Sequence, residues 1–159
     1  MEPLPRRKPN RLPCYDYASP GYYFVTICTV DRKCLLGQII PGDLKTPTLV
    51  RYSSWGRITA ETIAEIHDHY SNVDVDHFVV MPNHVHIILA LREQAGQHPS
   101  VSIIIQQFKR AVSIRIGHPI WQPRFHDHVI RDEADYQKIW QYIENNPAKW
   151  AMDRYYREG

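Results

Sequence analysis

Hydrophobic and polar positions change period several times along this chain, and each change predicts an element. Residues 21–30, GYYFVTICTV, are rich in aromatic and β-branched side chains and predict a first strand. Residues 31–54 are mixed: LLGQII predicts a hairpin partner and GDLKTP a loop. From Trp55 to Tyr70 the positions Trp55, Thr59, Ile63, Ile66 and Tyr70 recur at helical spacing and predict one helix. VDVDHFVV (73–80) alternates and then turns apolar, a second strand; MPN turns the chain, and HVHIILAL (84–91) returns antiparallel to it. After the polar loop REQAGQHP, Ser100 is placed to cap a helix with Val101, Ile104, Ile105, Phe108 and Val112 on one face. GHP ends that helix, and FHDHVIR (125–131) predicts a fourth strand. A last helix starts near Asp132 and runs to about Asn145, with Tyr136, Ile139, Trp140 and Ile143 as its apolar stripe. The order β-α-β-β-α-β predicts an α+β fold: a ferredoxin-like split β-α-β core with an antiparallel sheet, followed by one C-terminal helix.

At 159 residues the chain is long enough for one domain with a substantial core. A net charge of +2 does not by itself announce a polyanion partner, but the cations are uneven. Arg6, Arg7, Lys8 and Arg11 crowd a proline-rich stretch, so residues 1–14 are assigned as a basic tail and 15–159 as the folded domain. Three cysteines, Cys14, Cys28 and Cys34, make no CxxC pair, which argues against a disulfide framework and for a reducing, cytoplasmic setting. No apolar run reaches the roughly 18 residues that span a membrane.

The third major strand carries His84 and His86. Alternation sends both imidazoles to one face and Val85 to the other. Two readings are open: core histidines satisfied by backbone or water, or ligands of a divalent metal, for which neutral imidazole is the commonest protein donor. Two further H-x-H triplets show how short the motif is. His67 and His69 lie on a predicted helix, where i and i+2 do not share a face. His126 and His128 share a strand face, with Asp127 between them; edge-strand solvation accounts for them, and His128 remains a candidate accessory group. On the last helix Tyr142 lies on the flank of the apolar stripe, as an amphipathic packing residue or a functional hydroxyl. Asn146 follows one turn later on the same flank. Because it precedes Pro147, it is expected at a fraying helix end.

Taken together, four stretches resemble a known family. His84-Val85-His86 fits the histidine–hydrophobic–histidine motif of the HUH endonucleases. YYFVTICTVDR, HFVVMPNHVHIIL, IWQPRFHDHVIRDEADY and YIENNPAKW, in this order across about residues 15–150, resemble the single-tyrosine transposases, especially the REP-associated tyrosine transposases. The resemblance implies a metal-dependent endonuclease and strand transferase acting on single-stranded DNA near imperfect-palindrome hairpins. His84 and His86 match its metal-binding histidines and Tyr142 its nucleophile, which forms a 5′-phosphotyrosine. Asn146 stands where the family places a third polar ligand, often glutamine. The implied cofactor is Mg²⁺ or Mn²⁺, and the implied location is the cytoplasm, at the nucleoid. No membrane partner is expected. Family members occur as monomers and as homodimers in which the tyrosine helix serves the partner's histidines.

DNA contact is expected from cations: Arg6, Arg7, Lys8 and Arg11 as an arm, and Lys109, Arg110, Arg124 and Arg131 on or near folded elements, each also explicable as a solvated surface charge. Tyr22, Tyr23, Trp121 and Phe125 are candidates for base stacking or for core packing. Two other functions compete: a nucleic-acid-binding module on this fold without catalysis, and a zinc hydrolase using the H-x-H pair. The chain has no HExxH and no clustered cysteines to favour the latter.

Overall fold

The computed structural model describes residues 15–96 and 98–159. Arg6, Arg7, Lys8, Arg11 and Cys14, and with them the assigned basic tail, lie outside the described residues.

Four strands form the central antiparallel sheet: β1 (Gly21–Cys28), β4 (Val73–Val80), β5 (His84–Leu91) and β6 (His126–Ile130), in the order β4-β5-β1-β6. This is the strand order of the expected ferredoxin-like arrangement. Register follows the hydrophobic alternation, since a slip of one residue would exchange the two faces. Tyr23, Val25 and Ile27 of β1 stand opposite Leu89, Ile87 and Val85 of β5. These six are fully buried in the main apolar core. Helices α1 (Ser54–Ala64) and α3 (Val101–Ile116) contribute Ile63, Val101, Ile104, Ile105, Phe108 and Val112 to it. Ser100 caps α3 by accepting from the Ile103 amide, and Gly117 ends it at φ 102°, a left-handed conformation that costs glycine little.

The other face of the sheet is covered by α4 (Glu133–Asn145), through Ile139 and Ile143 against Ile88, and by the C-terminal segment around Trp150 and Tyr155. Asp132 caps α4, its carboxylate accepting from the Asp135 amide.

Three local expectations are corrected. The helix expected over 55–70 is broken at Glu65 (φ −86°, ψ −6°), leaving the one-turn α2 (Ile66–His69). No proline or glycine marks the break; it delivers Ile66 into the core, while Arg115 of α3 holds Thr62 and Glu65 at the helix end. The hairpin strand in LLGQII is β2 (Gly37–Ile40), which pairs with β3 (Leu49–Tyr52) in a separate two-stranded ribbon. Asn146 keeps helical angles (φ −59°, ψ −47°) in spite of Pro147, because its buried side chain is held from below.

Candidate active site

His84 and His86 face α4 from the centre of the sheet, each almost completely buried (0% and 1% exposed). Opposite them on β1 are Cys28 and Thr26, and Val79 of β4 flanks His86. Their ring centroids are 4.6 Å apart, with the planes at 70°.

The hydrogen bonds around them decide where the lone pairs point. The Asn83 amide nitrogen donates to two backbone carbonyls, of Arg32 (3.1 Å) and Tyr155 (2.7 Å). Carbonyls only accept, so this fixes the amide orientation and turns Asn83 Oδ1 toward His84. His84 Nδ1, 2.8 Å away, must therefore carry the proton and donate, leaving a bare lone pair on Nε2. His86 Nδ1 meets the Thr26 hydroxyl at 2.8 Å. Asn146 Nδ2 donates to the Asp153 carboxylate (2.9 Å), so its Oδ1 is likewise an acceptor facing away. His84 Nε2, His86 Nε2 and Asn146 Oδ1 are all buried and all lack a hydrogen-bond partner. Unpartnered buried polar atoms are rare and costly. These three unpartnered atoms belong to residues that are each braced through their other side-chain atom, an arrangement that could hold a cation. No three His, Cys, Asp or Glu side chains gather as a metal cluster among the described residues; here the third donor is an amide oxygen.

Burial sets the charge state. It pushes the His84 imidazole down to about 4, against the Asp153 carboxylate and the Asn146 amide, which favour the charged form. Burial, then the neighbouring His84, drives His86 well below the ordinary range. Both are neutral and available as donors at physiological pH.

Tyr142 stands on the flank of α4, 40% exposed, its ring edge-on to His86 (5.2 Å) and Phe24 (6.3 Å). Burial and the Asp153 charge raise its phenol, while the Asn146 side chain and Arg154 work against them. Tyr142 lines a cleft of about 360 Å³ together with Thr26, His86, His128, Arg154 and Tyr155 among others. His128 reaches that cleft with its Nε2 2.7 Å from Asp135 in the first turn of α4. His126 lies on the same wall, exposed. Two more ties hold α4 to the sheet of its own chain: His77 to Glu144 (2.9 Å) and the Tyr136 hydroxyl to Asp76 (2.6 Å). Tyr142, His84, His86 and Asn146 are thus brought together within one chain.

The other candidates are dispersed. Lys109 and Arg110 belong to α3, on the opposite face of the sheet, and the Lys109 ammonium is spent on the Gln122 carbonyl (2.6 Å). Arg124 and Arg131 are exposed at the two ends of β6, and His67 and His69 are exposed on α2. Tyr23, Trp121 and Phe125 are core residues; Tyr22 is 43% exposed and stands edge-on to Tyr136.

Sequence reasoning missed the supporting residues. Asn83 reads as a turn residue and Thr26 as an ordinary strand residue; neither carries a local signal. The segment WAMDRYY after the last helix did offer one, three aromatic residues around an adjacent Asp-Arg pair. Trp150 and Tyr155 pack on the His84 ring at 6.1 and 4.5 Å, and Asp153 braces Asn146.

Comparison with known proteins agrees with this architecture. No family model matches the chain. An uncharacterized protein of Haemophilus influenzae is 31% identical over 175 aligned residues, covering 94% of this chain and 93% of that one. A REP-associated tyrosine transposase of Escherichia coli is 33% identical over 95 residues, 54% of this chain and 56% of its own length. Among solved structures, a REP-associated tyrosine transposase bound to a REP hairpin superposes with a TM-score of 0.64 at 24% identity, over 94% of this chain and 74% of that one. With the fold, the paired histidines and the helix-borne tyrosine in place, the chain is a homologue of proteins named REP-associated tyrosine transposases and shares the fold of one.

Proposed function

We propose that this protein is a metal-dependent endonuclease and strand transferase that cuts single-stranded DNA beside imperfect-palindrome hairpins, using Tyr142 as nucleophile. The observation that carries the reading is the set of three buried, unpartnered atoms, His84 Nε2, His86 Nε2 and Asn146 Oδ1, with the Tyr142 ring against His86. The resemblance implies Mg²⁺ or Mn²⁺. The amide oxygen and the phosphate oxygens of bound DNA suit such a hard ion, while the two imidazoles also suit softer divalent ions. An ion bound there would act as a Lewis acid on the scissile phosphate.

The chain's own groups account for the rest. Thr26, Asn83 and Asp153 hold the donors in orientation. The α4 scaffold presents Tyr142 Oη, which attacks phosphorus in line. A P–O bond to tyrosine forms, the bond to the 3′-oxygen breaks, and that oxygen leaves as a hydroxyl after taking a proton. The product is a 5′-phosphotyrosine and a free 3′-hydroxyl, and attack by a 3′-hydroxyl reverses the step. His128, oriented by Asp135 on the cleft wall, is placed to exchange protons there. The energy of the cleaved bond is kept in the phosphotyrosine, so joining needs no nucleotide cofactor.

A labelled single-stranded hairpin oligonucleotide with Mn²⁺ tests this. Wild-type protein gives a covalent adduct on a denaturing gel, and both Tyr142→Phe and EDTA abolish it. An adduct that survives Tyr142→Phe would remove the nucleophile assignment. Hairpin binding without any adduct would favour the non-catalytic binding module instead.

A further inference from the structure

Two arginines share the Tyr155 ring, and neither has yet been given a part in binding DNA. Arg154 lines the cleft with Tyr142 and His86, and its guanidinium carbon lies 5.1 Å from the centre of the Tyr155 ring. Arg32 lies over the same ring at 5.3 Å. Neither makes an ion pair among the described residues. The adjacent Asp153 carboxylate is occupied by the Asn146 amide and the Tyr155 backbone N–H.

Both arginines are held in place by the machinery of the histidines. Arg154 sits between Asp153, which braces Asn146, and Tyr155, whose carbonyl accepts from Asn83. The Arg32 carbonyl accepts from the same Asn83 amide that orients His84. Asp31 and Arg32 are also consecutive left-handed residues, φ 53° and 51°, without being glycine. Such backbone is unfavourable by roughly 1 kcal/mol or more per residue, and it persists where the surroundings impose it. The planar fork of arginine matches the paired oxygens of a phosphodiester. The Arg154 charge is felt at Tyr142, where it opposes the larger effect of burial, and that of Arg32 is felt at His84.

We infer that Arg154 and Arg32 are the phosphodiester-binding pair of this site: Arg154 contacts the phosphate that Tyr142 attacks, and Arg32 contacts a neighbouring phosphate of the same strand. This rests on the function proposed above for Tyr142, and it assigns DNA contact to two residues outside the expected set of cations.

The test has two arms. In the first, adduct formation is timed at saturating hairpin with Mn²⁺. Arg154→Gln slows it about 100-fold, the scale of one lost charge-stabilising contact, and Arg154→Lys recovers only part because it lacks the fork. In the second, binding of a single-stranded oligonucleotide is followed against salt in the Tyr142→Phe background without metal. Arg154→Gln and Arg32→Gln each lower the slope of log K on log salt by about 0.7, the loss of one phosphate contact. Wild-type adduct rates in Arg154→Gln, or an unchanged salt slope in either variant, overturn the inference. Absence of any adduct in the wild type overturns the proposed nuclease, while the salt slopes still decide whether the pair binds phosphate.

Discussion

β1 and β5 build both faces of the central sheet, and the two faces are opposite in character. Toward α1 and α3 they present Tyr23, Val25, Ile27, Val85, Ile87 and Leu89, a continuous apolar layer. Toward α4, from the intervening positions, they present Phe24, Thr26, Cys28, His84, His86 and Ile88. The first face has no polar duty and contributes burial, which drives folding. The second buries two imidazoles whose Nε2 atoms have no partner among the described residues, an arrangement that opposes folding. One face therefore carries stability that offsets the cost of the other, on which the proposed chemistry rests, and the strict alternation of a strand keeps the two separable by a single residue.

The sharpest way to break this comparison is to substitute neighbours on β5. His86→Ala is expected to lower adduct formation about 10²–10³-fold, the size of a lost electrostatic contact in a transition state, while thermal unfolding stays cooperative. Ile87→Ala, from a fully buried position, is expected to cost about 2–5 kcal/mol of stability in urea. Well below its unfolding midpoint, it should keep its adduct rate. If Ile87→Ala under those conditions lost activity as His86→Ala does, the faces would not be separable.

Thr26→Val keeps the shape of the side chain but removes the partner of His86 Nδ1. Manganese affinity, read by calorimetry, should fall about 10–100-fold, with the urea midpoint little changed.

The metal-free protein should also show which face is electrostatically strained. His84 titrates near 6.5 when unfolded and is held down to about 4 when folded. Between those values the unfolded chain binds the extra proton, so stability is complete above pH 6.5 and is lost as pH falls toward 4. Urea midpoints in EDTA should decline across that window, and a His84→Gln/His86→Gln double variant should flatten the decline. Equal pH profiles for the two proteins would contradict the neutral, buried imidazoles.

The smallest effect is expected at Arg110, on the helix that covers the apolar face. Arg110→Gln should leave hairpin binding within about twofold of wild type, as for an ordinary solvated charge.

Much of this was legible because strands and amphipathic helices announce their faces. The apolar stripe Val101, Ile104, Ile105, Phe108, Val112 is buried as its spacing predicts, and the histidines share a face as alternation requires. The break at Glu65 was not legible, since it depends on a contact from Arg115, fifty residues later in the chain. Asn83 was hidden for a similar reason. Its two donors and its acceptor serve Arg32, Tyr155 and His84, which are remote, remote and adjacent in sequence. The H-x-H pair predicts ligands, whereas the parts that aim them are set by tertiary structure.

The three ties that pin α4 to its own sheet have a kinetic consequence. On the proposed chemistry, the DNA end joined to Tyr142 stays above the histidines that helped to cut it, because the helix cannot swing away without releasing Glu144, Tyr136 and Asp135 together. While the hairpin remains bound, the freed 3′-hydroxyl is a tethered reactant at millimolar effective concentration, and resealing is the default outcome. Net transfer then becomes a race between the departure of one strand end and the arrival of another, governed by how long the hairpin stays bound rather than by how fast the bond is cut.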